Sequence, residues 1–309
     1  MSTPLRSTAP LVVAVEGGKG LDEWLEAHPH WDEGLIRHGV IIFRNAGVED
    51  VDRFDRAVSR LVVPSDEFDE ETSPRTALSE RAFTSTEYPA AYPIQFHNEF
   101  SYRQARPEIL VFACLEVPES GGSTPVADGR AMLEALPPEI VERFEDGVRY
   151  SRNFVGLGVP WEKAFGTQSR EDVERYCDTH GVQAEWSEHG LHTLQRRSAI
   201  AVHPVSGERS WCNHILNFNV RGVEPPAVRK ALLTTASARR PTDSFHADGT
   251  EIAAEVIETI RAAYESVAYR HPWRRGDLMV VDNILAAHAR DAFTGTRRVV
   301  VGMGSRGKQ

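Results

Sequence analysis

The sequence predicts an α+β fold built around a β-sandwich or jelly roll. Short apolar runs bounded by Gly, Pro, Asn and Asp recur along the 309 residues, the pattern of an all-β core. Only a few stretches carry helical periodicity, and they lie between or outside the strand signals. Strictly alternating βαβ units are missing, and no GxGxxG or GxxxxGKS/T follows a strand, so the usual phosphate-cradling loops are missing too.

Residues 20–38 hold two short helical patterns, Leu21, Trp24 and Leu25, then Trp31, Leu35 and Ile36. Residues 39–43 (GVIIF) read as a buried strand. An amphipathic helix follows over 48–62, with Val51, Phe54, Val58 and Leu61 on one face. Residues 65–96 are polar, punctuated by proline and rich in acids. A loop of that length in a compact domain is usually functional, so 65–95 is expected to be a lid over an active site. Strands are predicted at 94–102, 109–117 and 123–128. A helix is predicted at 129–147, with Met132, Leu133, Leu136, Ile140, Val141 and Phe144 inward and a break at Pro137-Pro138. Residues 148–200 read as an insertion between core strands, with a strand near 150–154 and a helix at 170–180. Short strands follow at 199–203, 209–213 and 278–282, a helix at 251–267 and a last strand at 297–303. No repeat or linker interrupts the chain, so one domain over 1–309 is expected.

Composition narrows the function. Thirty-five Lys and Arg against 45 Asp and Glu leave a net charge of −10, which argues against nucleic acid or an anionic membrane as partner. Cys114, Cys177 and Cys212 form no CxxC pair, and an odd count is no disulfide framework. The first apolar run is too short for a signal-peptide core, and no stretch reaches the ~18 apolar residues of a membrane helix. A cytoplasmic enzyme or binding protein is the expectation.

The chemistry concentrates in two places. In Phe96-His97-Asn98-Glu99-Phe100, a strand would put His97 and Glu99 on one face, because residues i and i+2 point the same way. An imidazole beside a carboxylate is two thirds of a 2-His-1-carboxylate site, the ligand set of non-haem Fe(II) with open positions. An isolated HxE is common on surface strands and carries little alone. Near the C-terminus, Asp282-Asn283 turns the chain, His288 follows, and Arg297 and Arg298 open the last strand. A guanidinium there would pair bidentately with the far carboxylate of a ligand whose near end chelates a metal. Taken singly, His288 reads equally well as an exposed loop histidine and the arginines as an ordinary basic strand start. His189 and His192 have i, i+3 spacing, but Gly190 between them opposes a helix.

These segments resemble the TauD/TfdA group of Fe(II)/2-oxoglutarate-dependent dioxygenases, in particular its SyrP-like, clavaminate synthase-like branch. The resemblance covers most of residues 35–305. It rests on Thr84-Ser-Thr-Glu-Tyr-Pro89, Phe96-His-Asn-Glu-Phe-Ser-Tyr102, Gly121-Gly-Ser-Thr-Pro125, His203-Pro-Val-Ser-Gly-Glu208 with Trp211-Cys-Asn213, and Asp282-Asn283 through Arg297. It implies a double-stranded β-helix (jelly roll) core with flanking helices, and His97, Glu99 and His288 as iron ligands. Thr124 and an arginine after the distal histidine would hold the 2-oxoglutarate C5 carboxylate. The H-x-R-x-x-F-x-G-x-R spacing places that anchor at Arg297 rather than Arg298, with Arg290 touching the cosubstrate or shaping its loop. Glu99, in place of the small residue of related halogenases, implies hydroxylation with release of succinate and CO₂. The implied substrate is an amino acid or amino-acid-derived metabolite, free or on a carrier protein, together with O₂. Asn98, Arg152 and Asn213 are candidate substrate contacts. Competing readings are the same chemistry on a sulfonate, aryloxyalkanoate or betaine-like acid; desaturation or cyclisation; and a non-catalytic jelly-roll binding protein.

Overall fold

The large sheet is built from strands whose two faces serve two different cores. The computed structural model describes residues 8–15, 20–64, 70, 76–85, 88–154, 156 and 158–307. Ile109–Glu116 reads ILVFACLE and is buried along all but its last residue. Leu110, Phe112 and Cys114 enter one apolar cluster, and Ile109, Val111, Ala113 and Leu115 enter another. That is the period-two alternation of a strand covered on both sides. Met279 and Val281 against Leu278 and Val280, and Val299 and Val301 against Val300, divide in the same way. A one-residue slip in register would exchange the two sets, so burial pins the pairing.

The sheet runs in the order Leu11–Ala14, Val40–Val48, Gly276–Asp282, Ile109–Glu116, Arg298–Ser305 and Val63–Pro64, with Phe83–Thr84 also pairing to Arg298–Ser305. Helices cover its outer face. The Val51–Leu61 helix is capped by Asp50, whose side chain accepts the Arg53 N–H, and it buries Phe54, Ala57, Val58 and Leu61 at helical spacing. Each large apolar side chain so buried contributes roughly 1.5–3 kcal/mol. The inner face shares its cluster with a smaller sheet, ordered Ala268–Tyr269, Val126–Asp128, Ala286–Arg290 and Ile94–His97. Phe96, Val126, Ala127, Ala286, Ala287 and Ala289 supply that side.

Residues 148–200 build most of a third sheet, Val182–Ser187, Gly190–Arg197, Val148–Phe154 and Thr242–His246. It carries its own small apolar cluster under the Arg170–His180 helix.

One expectation needs correction: the strand expected over 94–102 ends at His97, where the chain enters a turn. The break expected at Pro137-Pro138 is present, and the helical stretch over 129–147 is two helices, Gly129–Ala135 and Pro138–Arg143. Residues 286–290, to which the sequence pattern assigns no element, form a fully buried strand. Their sequence AAHAR has low strand propensity, and pairing on both edges overrides it.

Candidate active site

Two antiparallel strands bring the histidines together. His288 on Ala286–Arg290 is the direct cross-strand partner of His97 on Ile94–His97, and their rings lie 4.3 Å apart. Directly opposed residues on one face are close neighbours in any antiparallel pair, so the ladder accounts for a contact across almost two hundred positions. Glu99 reaches the same point differently. Beyond His97 the chain turns, with Ser101 N–H donating to the Asn98 carbonyl and Phe100 at φ +53°. That left-handed conformation is uncommon for an aromatic residue.

The three side chains are buried, with one donor atom of each inside a 4.8 Å cluster. The Glu99 carboxylate stands 3.7 Å from the Nε2 atoms of both His97 and His288. Two donors each about 2.1 Å from one metal lie about 3.0 Å apart when cis and 4.2 Å when trans, so the spacing suits a shared cation. His97 Nδ1 meets the Gln95 carbonyl at 2.8 Å. As the donor in that contact, Nδ1–H leaves the Nε2 lone pair for a metal. Two imidazoles and a carboxylate on one side of a centre fit non-haem iron. Among the described residues, no other group of His, Cys, Asp and Glu is gathered this way.

A cavity opens from this cluster, about 410 Å³ including its mouth, with Ile94, Phe112, Val299 and Val301 among its walls. Its polar end is Arg297. The guanidinium donates from Nε to the Gly122 carbonyl at 2.8 Å, from Nη2 to Thr124 Oγ1 at 3.1 Å and from Nη1 to Ser85 Oγ at 3.3 Å. Thr124 Oγ1 also accepts the indole N–H of Trp273 at 3.0 Å. All of Arg297's acceptors are neutral, and among the described residues it has no carboxylate within salt-bridge distance. Burial, and secondarily the neighbouring Arg290 cation, push its pKa down to about 10. A partly buried cation with no anion among the described residues is a receptor for one.

The amino-acid sequence matches the family described as taurine catabolism dioxygenase TauD, TfdA family, over residues 3–303. The chain belongs to the TauD/TfdA family. It is a 2-oxoglutarate-dependent dioxygenase that uses iron, with a small-molecule substrate and O₂. It is 36% identical over 307 residues to the dapdiamide synthesis protein DdaC of Enterobacter agglomerans, covering 97% of this chain and 93% of that one. A clavaminate synthase-like protein of Arabidopsis thaliana is 25% identical, with coverage of 90% and 86%. Among solved structures, PvcB of Pseudomonas aeruginosa shares the fold at a TM-score of 0.55 and 16% identity, covering 97% of this chain and 89% of that one.

Several residues expected in this TauD/TfdA site serve other purposes. Arg298 is exposed at the start of its strand, in register with Glu116, because strand alternation sends it away from Arg297. Arg290 borders the cavity, and its guanidinium donates to the carbonyls of Tyr88, Pro89 and Tyr92 at 2.8–2.9 Å, so of its two expected roles the geometry matches the shaping of the loop. Asn98 turns away from the cavity and donates to the carbonyls of Asn283 and Ala286. Asn213 donates to the Ala199 carbonyl and accepts the Ile215 N–H. Neither borders the cavity, because buried amides spend their capacity on the buried backbone around them.

Arg152 is not on the cavity wall either; it donates to the Glu70 carbonyl and lies over the Phe154 ring. The Glu70 carboxylate accepts Tyr176 Oη–H and Gln195 Nε2–H, at 3.0 and 2.9 Å. Of the acidic stretch at 66–71, only Glu70 is among the described residues, and it is buried. His189 is exposed, and His192 meets Ser151 Oγ. Sequence reasoning passed over Ser85, Trp273, Glu70 and Asn283. Ser85 and Asn283 stood inside quoted motifs, but nothing local distinguished them from ordinary loop polar residues.

Proposed function

We propose that His97, Glu99 and His288 hold Fe(II), and that Arg297, Thr124 and Ser85 receive the C5 carboxylate of 2-oxoglutarate. Bound iron with 2-oxoglutarate and O₂ supplies oxidation of a substrate C–H bond, coupled to decarboxylation of the cosubstrate to succinate and CO₂. One observation carries the assignment: one cavity is lined both by the 2-His-1-carboxylate cluster and by a guanidinium that, among the described residues, has no carboxylate partner. A dicarboxylate that chelates at one end and needs a cation at the other fits that polarity. The apolar walls exclude water and strengthen both contacts. On this reading the two facing sheets are the double-stranded β-helix core of one domain. Of the segment expected as a lid, Ser85 lines the cavity, and the carbonyls of Tyr88, Pro89 and Tyr92 are held by Arg290.

The reaction is hydroxylation of an amino acid or amino-acid-derived metabolite, free or carrier-bound. The relation to a dapdiamide synthesis protein along nearly the whole chain supports that substrate class, and the carboxylate at Glu99, in the place a halide would take, supports hydroxylation over halogenation. Substrate-stimulated succinate release, measured over amino acids and carrier-bound amino acids with mass spectrometry of the product, tests it. A product heavier by one oxygen is expected. Succinate release stimulated only by sulfonates or aryloxyalkanoates overturns the substrate class, and no succinate from any condition overturns the enzyme assignment.

A further inference from the structure

Glu99 is not placed by a strand, and its carboxylate must still meet two imidazoles that are. The structure shows what holds it. Asn283 is fully buried, and its side-chain amide grips the Glu99 main chain from both sides. Asn283 Oδ1 accepts the Glu99 N–H at 2.7 Å, and Asn283 Nδ2 donates to the Glu99 carbonyl at 2.9 Å and to the Pro107 carbonyl at 2.8 Å. Its own main chain is tied as firmly. Its N–H donates to the Glu108 carbonyl at 2.8 Å, and its carbonyl accepts Asn98 Nδ2 at 2.9 Å.

The grip demands a carboxamide of this length. It needs a donor and an acceptor at the end of one methylene. Aspartate supplies no donor, alanine supplies neither, and glutamine is one carbon too long. Position matters as much. Asn283 follows the last residue of the Gly276–Asp282 strand and stands five residues before His288. One side chain therefore couples the turn that carries Glu99 to the segment that delivers the distal histidine. Asn98 completes the lock: its Nδ2 donates to Asn283 and Ala286, and its Oδ1 accepts the Asn213 N–H. Phe100 at φ +53°, immediately after Glu99, is the kind of costly backbone that persists only where surroundings over-determine it.

We propose that Asn283 is a positioning residue of the iron site, fixing the rotation of the Glu99 main chain so that the three donors converge before metal arrives. The inference rests on the proposed ligand assignment and adds a residue to it. Outer-shell partners of metal ligands typically tune affinity by ten- to a hundredfold, and Asn283→Asp and Asn283→Ala are expected to weaken Fe(II) by about that factor. The measurement is anaerobic titration with Fe(II), then 2-oxoglutarate, following the visible charge-transfer band, with a thermal melt of each variant alongside. A weakened, shifted band in a variant that still melts cooperatively supports the proposal. Wild-type Fe(II) affinity and band position in folded Asn283→Ala overturn it, whatever the melting temperature does, because a merely structural residue would move only the melt.

Amide hydrogen exchange on the metal-free wild type covers the case in which neither variant folds. The Glu99 N–H should then exchange as slowly as the central strands, and fast exchange overturns the proposal. A wild-type chain that gives no band with Fe(II) and 2-oxoglutarate defeats the ligand assignment itself. A wild type that binds no more tightly than its variants defeats only the role of Asn283.

Discussion

Replacing Arg297 with methionine should separate what this cation does for the ligand from what it does for the fold. Three of its five N–H groups are taken by Gly122, Thr124 and Ser85, which leaves two for a carboxylate. Charge-assisted hydrogen bonds contribute about 1.5–3 kcal/mol each. With part of the loss recovered by Thr124, Ser85 and entering water, about 3 kcal/mol remains, roughly 150-fold in Kd. The cost to the fold nearly cancels. A pKa pushed from 12.5 to about 10 is a penalty on the charged form of roughly 3 kcal/mol. Three ordinary hydrogen bonds at about 1 kcal/mol each offset it. Arg297→Met should therefore change the unfolding free energy by less than about 1.5 kcal/mol while raising the 2-oxoglutarate Kd by about two decades. Anaerobic titration of the Fe(II)-loaded protein with 2-oxoglutarate, paired with urea unfolding of the metal-free protein, measures both. Arg298→Ala is the comparison, expected within about twofold of wild type for an exposed side chain. A weakening of less than about threefold in Arg297→Met, or an equal weakening in Arg298→Ala, refutes the reasoning.

Four other expectations are open to measurement. His97→Ala should abolish succinate formation while the urea midpoint stays near wild type; full turnover would remove His97 from the ligand set. Gly122→Ala should weaken 2-oxoglutarate by about tenfold, since Gly122 sits at φ +68° and an added Cβ would lie 2.7 Å from Pro118 Cγ and 3.0 Å from Arg297 Cδ; unchanged affinity by the same titration would refute it. Affinity for 2-oxoglutarate should be flat from neutral pH to about 9 and fall as pH rises through about 10, because the lowered Arg297 pKa lets the free protein lose the cation there; a fall already near neutrality would point to another group. Glu70→Ala should cost about 2–4 kcal/mol, because the Tyr176 hydroxyl and Gln195 amide both lose their acceptor; an unchanged urea midpoint would show that Glu70 holds nothing.

Much of this protein was legible in one dimension because its physics is local. The apolar runs at 40–43, 109–115 and 278–281 and the amphipathic face at 51–61 follow from periodicity, and each lies in an element of the predicted type. The His97-x-Glu99 pair, the later His288 and the Arg297 spacing could be written down as a reading, since ligand chemistry restricts residue types and motif spacing is a sequence property. Which side chains meet was another matter. Glu99 was expected to share a strand face with His97, and a turn placed it instead. His288 looked like a loop residue until pairing on both edges of a small-residue strand set it opposite His97. Asn98, Asn213 and Arg152 had the polarity of substrate contacts, and buried backbone carbonyls claimed them. Hydrogen-bond partners far apart in the chain leave no local trace, so composition and periodicity specify the strands and helices, whereas the ladder register and the buried polar network choose which of the polar residues face the site.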